Sequence, residues 1–195
     1  MPANDPNLPA STFTETFRQL NGYTGTDLAE WLFLPGMRFG EKEKWWKSGS
    51  FRASPHEGLD ILTFLDGFGG EQQLSAAARV PPLLSGIVVS KTKDFLGETV
   101  ILAHDFYDQA DRRLHTFYAH LQPAEAPEIT SKITHDSLLG NIAWPRQSNT
   151  GCPPHLHLSL AWVDKSMSIQ DFAWDRFRAS ETFRPGDPLA LICGN

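Results

Sequence analysis

Six short β-rich runs follow one another after Pro55, separated by turn residues and not by long amphipathic helices. They span residues 61–65, 83–90, 98–104, 114–121, 139–144 and 155–163. Parallel neighbours need long crossover connections, so this succession favours an antiparallel sheet over a doubly wound parallel one. We therefore expect a mainly β protein.

The residues that precede these runs have a different pattern. A cap at Ser11 or Thr12 predicts one short helix, and a second helix is predicted over residues 26–32. Residues 36–55 mix Gly, Lys, Glu and Ser with two Trp, which is typical of an irregular segment packed at a few aromatic points. The N-terminal part is thus expected to be short, helical and irregular.

Length and composition fit one folded unit. The chain has 195 residues, 41% of them hydrophobic and 11% aromatic, enough to bury a substantial core. Acidic residues outnumber Lys and Arg by 23 to 17, giving a formal charge of -6 without a basic block. Nucleic acid is therefore not expected to be a partner.

Cysteine content and hydropathy place few further constraints on the chain. Cys152 and Cys193 are too few for a disulfide scaffold and do not have zinc-ribbon spacing. The first residues show neither a basic nor an apolar leader region, and no later apolar run is long enough to span a bilayer. We expect no transmembrane segment.

Three short stretches carry more imidazole and carboxylate than an ordinary β domain needs. They read His-Glu-Gly-Leu-Asp at 56–60, Phe-Tyr-Ala-His-Leu at 117–121 and His-Leu-His-Leu-Ser at 155–159. Side chains an even number apart share one face of an extended chain. The two groups of the first stretch would therefore face together, as would the two histidines of the third. The five candidate groups are His56, Asp60, His120, His155 and His157.

These groups fit an open zinc site. Catalytic zinc commonly takes three protein ligands and keeps a fourth position for water, whose pKa falls to about 7. Two histidines and one aspartate fit that number. Two histidines would then remain free to move a proton or to stabilise an oxyanion.

The three stretches resemble the signature of the LytM and lysostaphin-type zinc metalloendopeptidases, which cleave peptides of bacterial cell-wall peptidoglycan. In that family an H-x-x-x-D segment supplies two zinc ligands, which implies His56 and Asp60 here. The second histidine of an H-x-H segment supplies the third, which implies His157. The catalytic histidines fall on His155 and, in the Tyr-Ala-His-Leu segment, on His120.

The resemblance extends from about residue 52 to residue 160, with supporting matches at 85–88, 98–104 and 139–142. It implies an antiparallel β-sheet metallopeptidase domain at 49–195, with residues 1–48 packed on it. It further implies one Zn²⁺ per chain and hydrolysis of stem or cross-bridge peptides by a zinc-activated water. We expect a monomer that acts on peptidoglycan in the periplasm or outside the cell.

One departure from the family pattern lies before the last motif. Similar proteins read Ser-Thr-Gly-Pro-His-Leu-His-Phe, whereas this chain has two extra residues, Cys152 and Pro153. This insertion changes a loop that is expected to line the substrate cleft. The sequence therefore does not determine which peptide bond is cleaved. Cys152 could be considered as a fourth ligand, but it would close the position that catalysis needs, so we expect a loop residue.

Two other functions compete with the peptidase. The first is a non-catalytic or latent module that binds cell wall or regulates other hydrolases, with Asn4, Asn7 or Asn21 as conceivable metal-blocking residues. Retention of all five groups argues against lost catalysis. The second, a D-alanyl-D-alanine peptidase, needs a longer His-to-Asp spacing and a Glu close before the last His, and both are absent.

The remaining candidates have simpler explanations. We expect His104 to support the site or the fold, and we expect His115 and His135 to have no part in the site. Trp45 and Trp46 lie among lysines and could bind a glycan. Nearby Glu residues dilute the charge, and a packed Trp pair on a solvated face is the favoured interpretation.

Overall fold

The computed structural model describes residues 8–75, 77–122, 127–144, 151–169, 172–174, 177 and 182–192. Antiparallel strands dominate this part of the chain, which confirms the predicted mainly β class. None of its helices is long and apolar enough to span a bilayer.

The main sheet has nine strands in the described residues, ordered β12-β11-β8-β7-β6-β9, with β2 also paired to β11 and β10 to β8 and β5. The strands are β2 (Leu59–Ile61), β5 (Arg79–Val80), β6 (Gly86–Lys93), β7 (Glu98–Tyr107), β8 (Arg113–Gln122), β9 (Lys132–Ile133), β10 (Gly140–Ile142), β11 (Leu156–Val163) and β12 (Phe183–Gly186). The longest strands, β6, β7, β8 and β11, overlap four of the predicted runs, and β6, β7 and β8 extend beyond the predicted bounds.

A second, three-stranded sheet lies beside the main one. It consists of β1 (Glu30–Leu32), β3 (Thr63–Leu65) and β4 (Glu71–Gln73), in the order β1-β3-β4. The predicted run 61–65 is therefore two strands, because the chain leaves the main sheet after β2 and enters the small sheet at β3.

Both faces of β11 are buried. Leu156, Leu158 and Leu160 of β11 belong to the large core cluster, which also takes in residues of α1 (Phe13–Asn21). Alternate residues such as Ala161 belong to a second, aromatic cluster on the opposite face. This two-sided burial explains why β11 has no exposed position.

The predicted first helix is confirmed as α1, but the predicted helix over 26–32 is wrong. Residues 30–32 form β1, in which Trp31 pairs with Phe64 of β3 and contacts Phe17 of α1 edge to face. Apolar residues at helical spacing suggested a helix, and strand pairing with packing against α1 overrides that local preference. A short second helix, α2 (Leu189–Ile192), ends the described chain.

Candidate metal centre

The site begins where β2 and β11 lie side by side. His157 is directly opposite Asp60 in this antiparallel pair, and His157 Nδ1 lies 2.8 Å from Asp60 Oδ1. His56 precedes β2, and its Nε2 lies 3.2 Å from His157 Nδ1 and 3.3 Å from Asp60 Oδ1. All three residues are buried.

The three donor atoms have the spacing of metal ligands. They all lie within 4.8 Å of one another. Atoms bound at about 2.0–2.2 Å by a tetrahedral zinc ion are about 3.3–3.6 Å apart, close to the distances between these donors. Two imidazole nitrogens and one carboxylate oxygen are also donors that zinc accepts. The residues present therefore fit a single divalent ion such as zinc.

The second nitrogen of each of these histidines has its own partner. His56 Nδ1 lies 3.2 Å from the carbonyl oxygen of Arg38, to which an N–H at this atom donates. His157 Nε2 lies 2.9 Å from the hydroxyl of Ser159. With an ion bound, donation from these atoms would leave the lone pair of the other nitrogen for the ion, as is common for metal-bound histidines with outer partners.

The two carboxylate oxygens of Asp60 have different partners. Oδ1 faces the histidines, whereas Oδ2 accepts hydrogen bonds from Trp45 Nε1 at 2.7 Å and from Arg52 Nη2 at 3.0 Å. Burial alone would raise the pKa of Asp60, but His155 and His56 hold it well below its usual range. The carboxylate is therefore charged, fixed in orientation and open at Oδ1.

His155 lies immediately before β11 and beside the three donors. Its Nδ1 is 2.8 Å from the carbonyl oxygen of Pro153, and its Nε2 is 3.3 Å from Asp60 Oδ1. Burial lowers the pKa of His155, but the opposing effects of Asp60 and Cys152 prevail and raise it to about 10. The Cys152 sulfur is 3.8 Å from His155 Nδ1 and is not one of the three clustered donors.

His120 enters the site by an unusual backbone conformation. It has φ of 63° near the end of β8, a left-handed value that non-glycine residues rarely adopt. Its ring lies 4.8 Å from that of His155 and 5.9 Å from that of His157, centroid to centroid. Its Nδ1 is 2.9 Å from Asp94 Oδ1. Burial lowers the pKa of His120 to about 4, although Asp94 opposes this effect.

A cavity of about 270 Å³ opens over these side chains. Its lining combines the five predicted groups with aromatic walls and further charged residues. The lining residues are Trp46, Arg52, His56, Glu57, Asp60, Asp94, Phe95, His120, His155, His157 and Trp174.

The structure thus brings together all five side chains that the sequence singled out. His104 lies elsewhere, between the Ser85 carbonyl and the Thr116 hydroxyl, and is structural. Asn21 exchanges hydrogen bonds with the backbone of Arg79 and is not at the site. Asn4 and Asn7 lie outside the described residues.

His115 and His135 also lie outside the lining of the cavity. His115 is buried, with its Nδ1 3.0 Å from the Arg113 carbonyl oxygen, and His135 is exposed.

Four residues that contact the five groups were not predicted as functional. Trp45 and Arg52 belong to the segment expected to be irregular, and Trp45 also contacts the His155 ring at 5.2 Å between centroids. Asp94 holds His120, and Trp174 lies 5.3 Å from the His157 ring. Spacing within a motif cannot reveal these contacts, because each of the four residues lies outside the motif that it contacts.

Comparison with known proteins supports the fold. No protein-family model matches the chain, and a search of curated proteins gives no match. A crystal structure of CbpA from L. salivarius REN superposes with a TM-score of 0.52 and 18% identity, covering 84% of this chain and 88% of that chain. The two chains share a fold.

Two structures of lysostaphin also resemble the chain. A solution structure gives a TM-score of 0.47 at 15% identity, covering 87% of this chain and 55% of that chain. The catalytic domain of the antimicrobial peptidase from Staphylococcus simulans gives 0.45 at 15% identity, covering 80% and 90%. Both scores are lower than that for CbpA, and at these identities the likeness concerns the fold alone.

Proposed function

We propose that the protein is a zinc-dependent endopeptidase that hydrolyses peptides of bacterial cell-wall peptidoglycan. The observation that carries this proposal is the convergence of His56 Nε2, Asp60 Oδ1 and His157 Nδ1, with His120 and His155 beside them in one cavity. The resemblance of these motifs to LytM and lysostaphin-type enzymes supports the substrate class. The proposed ligands are His56, Asp60 and His157, and one ion is bound per chain.

The ion, when bound, supplies Lewis acidity that polarises the peptide carbonyl and makes water more acidic. The chain supplies the rest. Its three ligands are pre-arranged by partners on their far sides, namely Arg38, Ser159 and the pair formed by Trp45 and Arg52. Such pre-arrangement reduces the reorganisation required when the ion binds.

His120 is the proposed general base. With its Nδ1 proton directed to Asp94, Nε2 is the nitrogen that can accept a proton. Water adds to the carbonyl carbon and gives one proton to Nε2, and that proton passes to the leaving nitrogen as the C–N bond breaks. The immediate products are a carboxylic acid and an amine, and transfer of the remaining proton gives a carboxylate and an ammonium group.

His155 is the proposed partner of the developing oxyanion. An N–H at its Nδ1 donates to the carbonyl oxygen of Pro153, which fixes the ring and directs Nε2 to the side of Asp60. A proton on Nε2 can then donate to the carbonyl oxygen as negative charge develops there. This arrangement divides proton transfer and charge stabilisation between two histidines.

The test combines metal analysis with digestion of defined substrates. We expect one zinc per chain, loss of activity with chelator and recovery on adding zinc. Purified peptidoglycans of different cross-link type should be digested, and the new termini identified by mass spectrometry. A folded, zinc-loaded chain that leaves every cross-link type intact would contradict the peptidase.

Two substitutions separate the proposed roles. His157→Ala should lose both zinc and activity, whereas His120→Ala should keep zinc and lose about 10²- to 10⁴-fold in kcat. Unchanged turnover in His120→Ala would remove its role as the base. His135→Ala is the matched control, because this exposed histidine lies outside the cavity lining.

We also propose action on the cell wall, in the periplasm or outside the cell, by a monomer. The substrate class implies that location, and one chain supplies every side chain of the proposed site. The non-catalytic alternative has less support, because all five side chains are present and close together.

A further inference from the structure

Asp94 makes more hydrogen bonds than its place in a turn requires. It lies between β6 and β7, where its Oδ1 accepts the backbone N–H groups of Leu96 at 3.0 Å and Gly97 at 2.8 Å. These two bonds are those of an ordinary Asp-initiated turn. Three further donors come from outside the turn, and two of them belong to His120.

Asp94 holds His120 at two points. His120 Nδ1 donates to Asp94 Oδ1 at 2.9 Å, and the backbone N–H of His120 donates to Oδ2 at 3.0 Å. A carboxylate has no proton to donate, so the Nδ1 bond assigns the proton to that nitrogen and leaves Nε2 as the acceptor. The backbone bond supports the left-handed conformation that brings the ring into the cavity.

The carboxylate is itself fixed and shielded. The hydroxyl of Thr99 donates to Oδ2 at 2.8 Å, and the Asp94 side chain is 1% exposed. A shielded, immobilised carboxylate holds a histidine ring more firmly than a solvated one, because water competes less for its hydrogen bonds. The ring of Phe95, which also lines the cavity, contacts that of His120 with centroids 4.6 Å apart.

A second turn in the same sheet shows which hydrogen bonds to an aspartate are needed for turn formation alone. Between β7 and β8, Asp108 Oδ1 accepts the backbone N–H groups of Ala110 and Arg112, both at 2.9 Å, and Oδ2 accepts from the Arg112 side chain. No histidine contacts Asp108 among the described residues. This turn lies at the opposite end of β7 from Asp94, so it provides a matched comparison.

We propose that Asp94 is a positioning residue for His120, which it holds in the Nδ1–H tautomer and in the left-handed conformation that presents Nε2 to the cavity. The catalytic importance of this arrangement rests on the proposed peptidase function. The tautomer and the conformation do not, and they can be measured in the zinc-free protein.

Asp94→Asn is the informative variant. The amide oxygen at the Oδ1 position can still accept from Leu96 and Gly97, so the turn is preserved. It can also accept from His120 Nδ1, but a neutral amide is a weaker acceptor than a carboxylate. The new NH₂ group at the Oδ2 position faces the backbone N–H of His120 and cannot accept from it, so the left-handed conformation and the ring tautomer are both held less firmly. In ¹⁵N-labelled, zinc-free full-length protein, we expect His120 to be the Nδ1–H tautomer. We expect a mixture of tautomers in Asp94→Asn.

Kinetics on the zinc-loaded chain give an independent readout. Asp94→Asn should keep one zinc per chain and an unchanged KM, while kcat falls about 10²-fold or more, the typical contribution of a positioned general base. Asp108→Asn, the matched control, should leave the His120 tautomer, zinc content and kcat unchanged.

Three outcomes would overturn the proposal. The first is a folded Asp94→Asn in which the tautomer and kcat match the parent chain. The second is an Nε2–H tautomer at His120 in the parent chain, which decides the matter even if the variant does not fold. The third is an equal loss of kcat in Asp108→Asn. A parent chain without peptidase activity would contradict the proposed function alone, since the tautomer would still report on Asp94.

Discussion

The two oxygens of Asp60 have different partners, and this division determines how the carboxylate can bind an ion. Oδ2 is occupied by Trp45 and Arg52, so Oδ1 is left for a single metal bond. Arg52 is itself held by the carbonyl oxygens of Gly36 and Glu43 and by the face of Trp46. The irregular segment at residues 36–55 therefore fixes the orientation of a proposed zinc ligand.

Replacing Arg52 should weaken zinc binding without removing a ligand. Arg52→Met keeps the apolar part of the side chain but loses the guanidinium N–H donors. The Asp60 carboxylate can then rotate and bind the ion through either oxygen. We expect zinc affinity to fall about 10- to 100-fold, the typical effect of losing an outer partner of a metal ligand. Competition with a zinc chelator measures this change, with Arg79→Met at an exposed position of β5 as the control. Equal affinities in the parent and Arg52→Met would contradict the positioning role.

Gly58 is the residue that lets His56 and β11 approach each other. A Cβ at this position would overlap the Leu158 carbonyl oxygen and lie 2.5 Å from Ser159 Oγ and 2.8 Å from His157 Nε2. The Leu158 backbone is held in β11 between β2 and β8 and cannot move aside. Gly58→Ala should therefore lose zinc binding and melt at a lower temperature. Gly25→Ala is the control, because no heavy atom lies within 4 Å of the added Cβ there and φ, as at Gly58, is not in the left-handed range.

At the scale of elements, β7 and β8 share a buried chain of hydrogen bonds behind the site. His104 Nδ1 donates to Ser85, its Nε2 lies 2.7 Å from the Thr116 hydroxyl, and Thr116 in turn bonds to the Tyr118 hydroxyl at 2.9 Å. Burial lowers the pKa of His104 to about 4, so its ring is neutral at pH 7.

This histidine should make stability depend on pH. An unfolded chain binds a proton at His104 near pH 6.5, so it takes up more protons than the folded chain below that value. The contribution is fully present above about pH 6.5 and is lost as the pH falls towards 4, up to about 3 kcal/mol. Melting temperatures between pH 7 and 4.5 should fall less in His104→Gln, which keeps a donor and an acceptor, than in the parent chain. If melting temperature fell equally with pH in the parent chain and in His104→Gln, His104 would not be the cause. His135→Gln is the control.

Strands could be predicted where their own residues determine them. Runs of apolar and β-branched residues identified β6, β7, β8 and β11, because these strands are long and, apart from β6, mostly buried. The strands Glu71–Gln73 and Lys132–Ile133 were missed, since β4 is fully exposed and β9 has only two residues. The passage of the chain from the main sheet to the small sheet at Leu62 was also missed. The largely apolar sequence of residues 61–65 does not indicate where one strand ends and the next begins.

The residues of the candidate site could be predicted where they occur close together in the sequence. His56 and Asp60, and His155 and His157, occur as close pairs, and each pair also lies close in space. Alternation along a strand did not place His120 in the cavity. Its positive φ and its bonds to Asp94 do so, and these depend on a turn 26 residues earlier in the chain.

At the scale of the whole molecule, residues 8–48 contribute to the same core as the strands that carry the site. Phe13, Phe17 and Trp31 belong to the large cluster with Leu59 and Ile61 of β2. The β1–β3 pairing links this N-terminal part to the segment that continues directly from Asp60. Folding of the N-terminal part and geometry of the metal centre are therefore coupled.

A chain that begins at Gly49 should consequently fail to form the site. It would lack four fully or nearly fully buried side chains, those of Phe13, Phe17, Leu28 and Met37, each 0–1% exposed. At about 1.5–3 kcal/mol for each buried side chain, the loss approaches the whole stability of an ordinary domain. It would also lack Trp45, the partner of Asp60. Circular dichroism melts and zinc titration should show no cooperative transition and no tight zinc binding, whereas a chain beginning at Leu8 keeps all these side chains and should show both. A folded, zinc-binding chain from Gly49 would mean that the N-terminal part is dispensable and that β2 holds Asp60 without it.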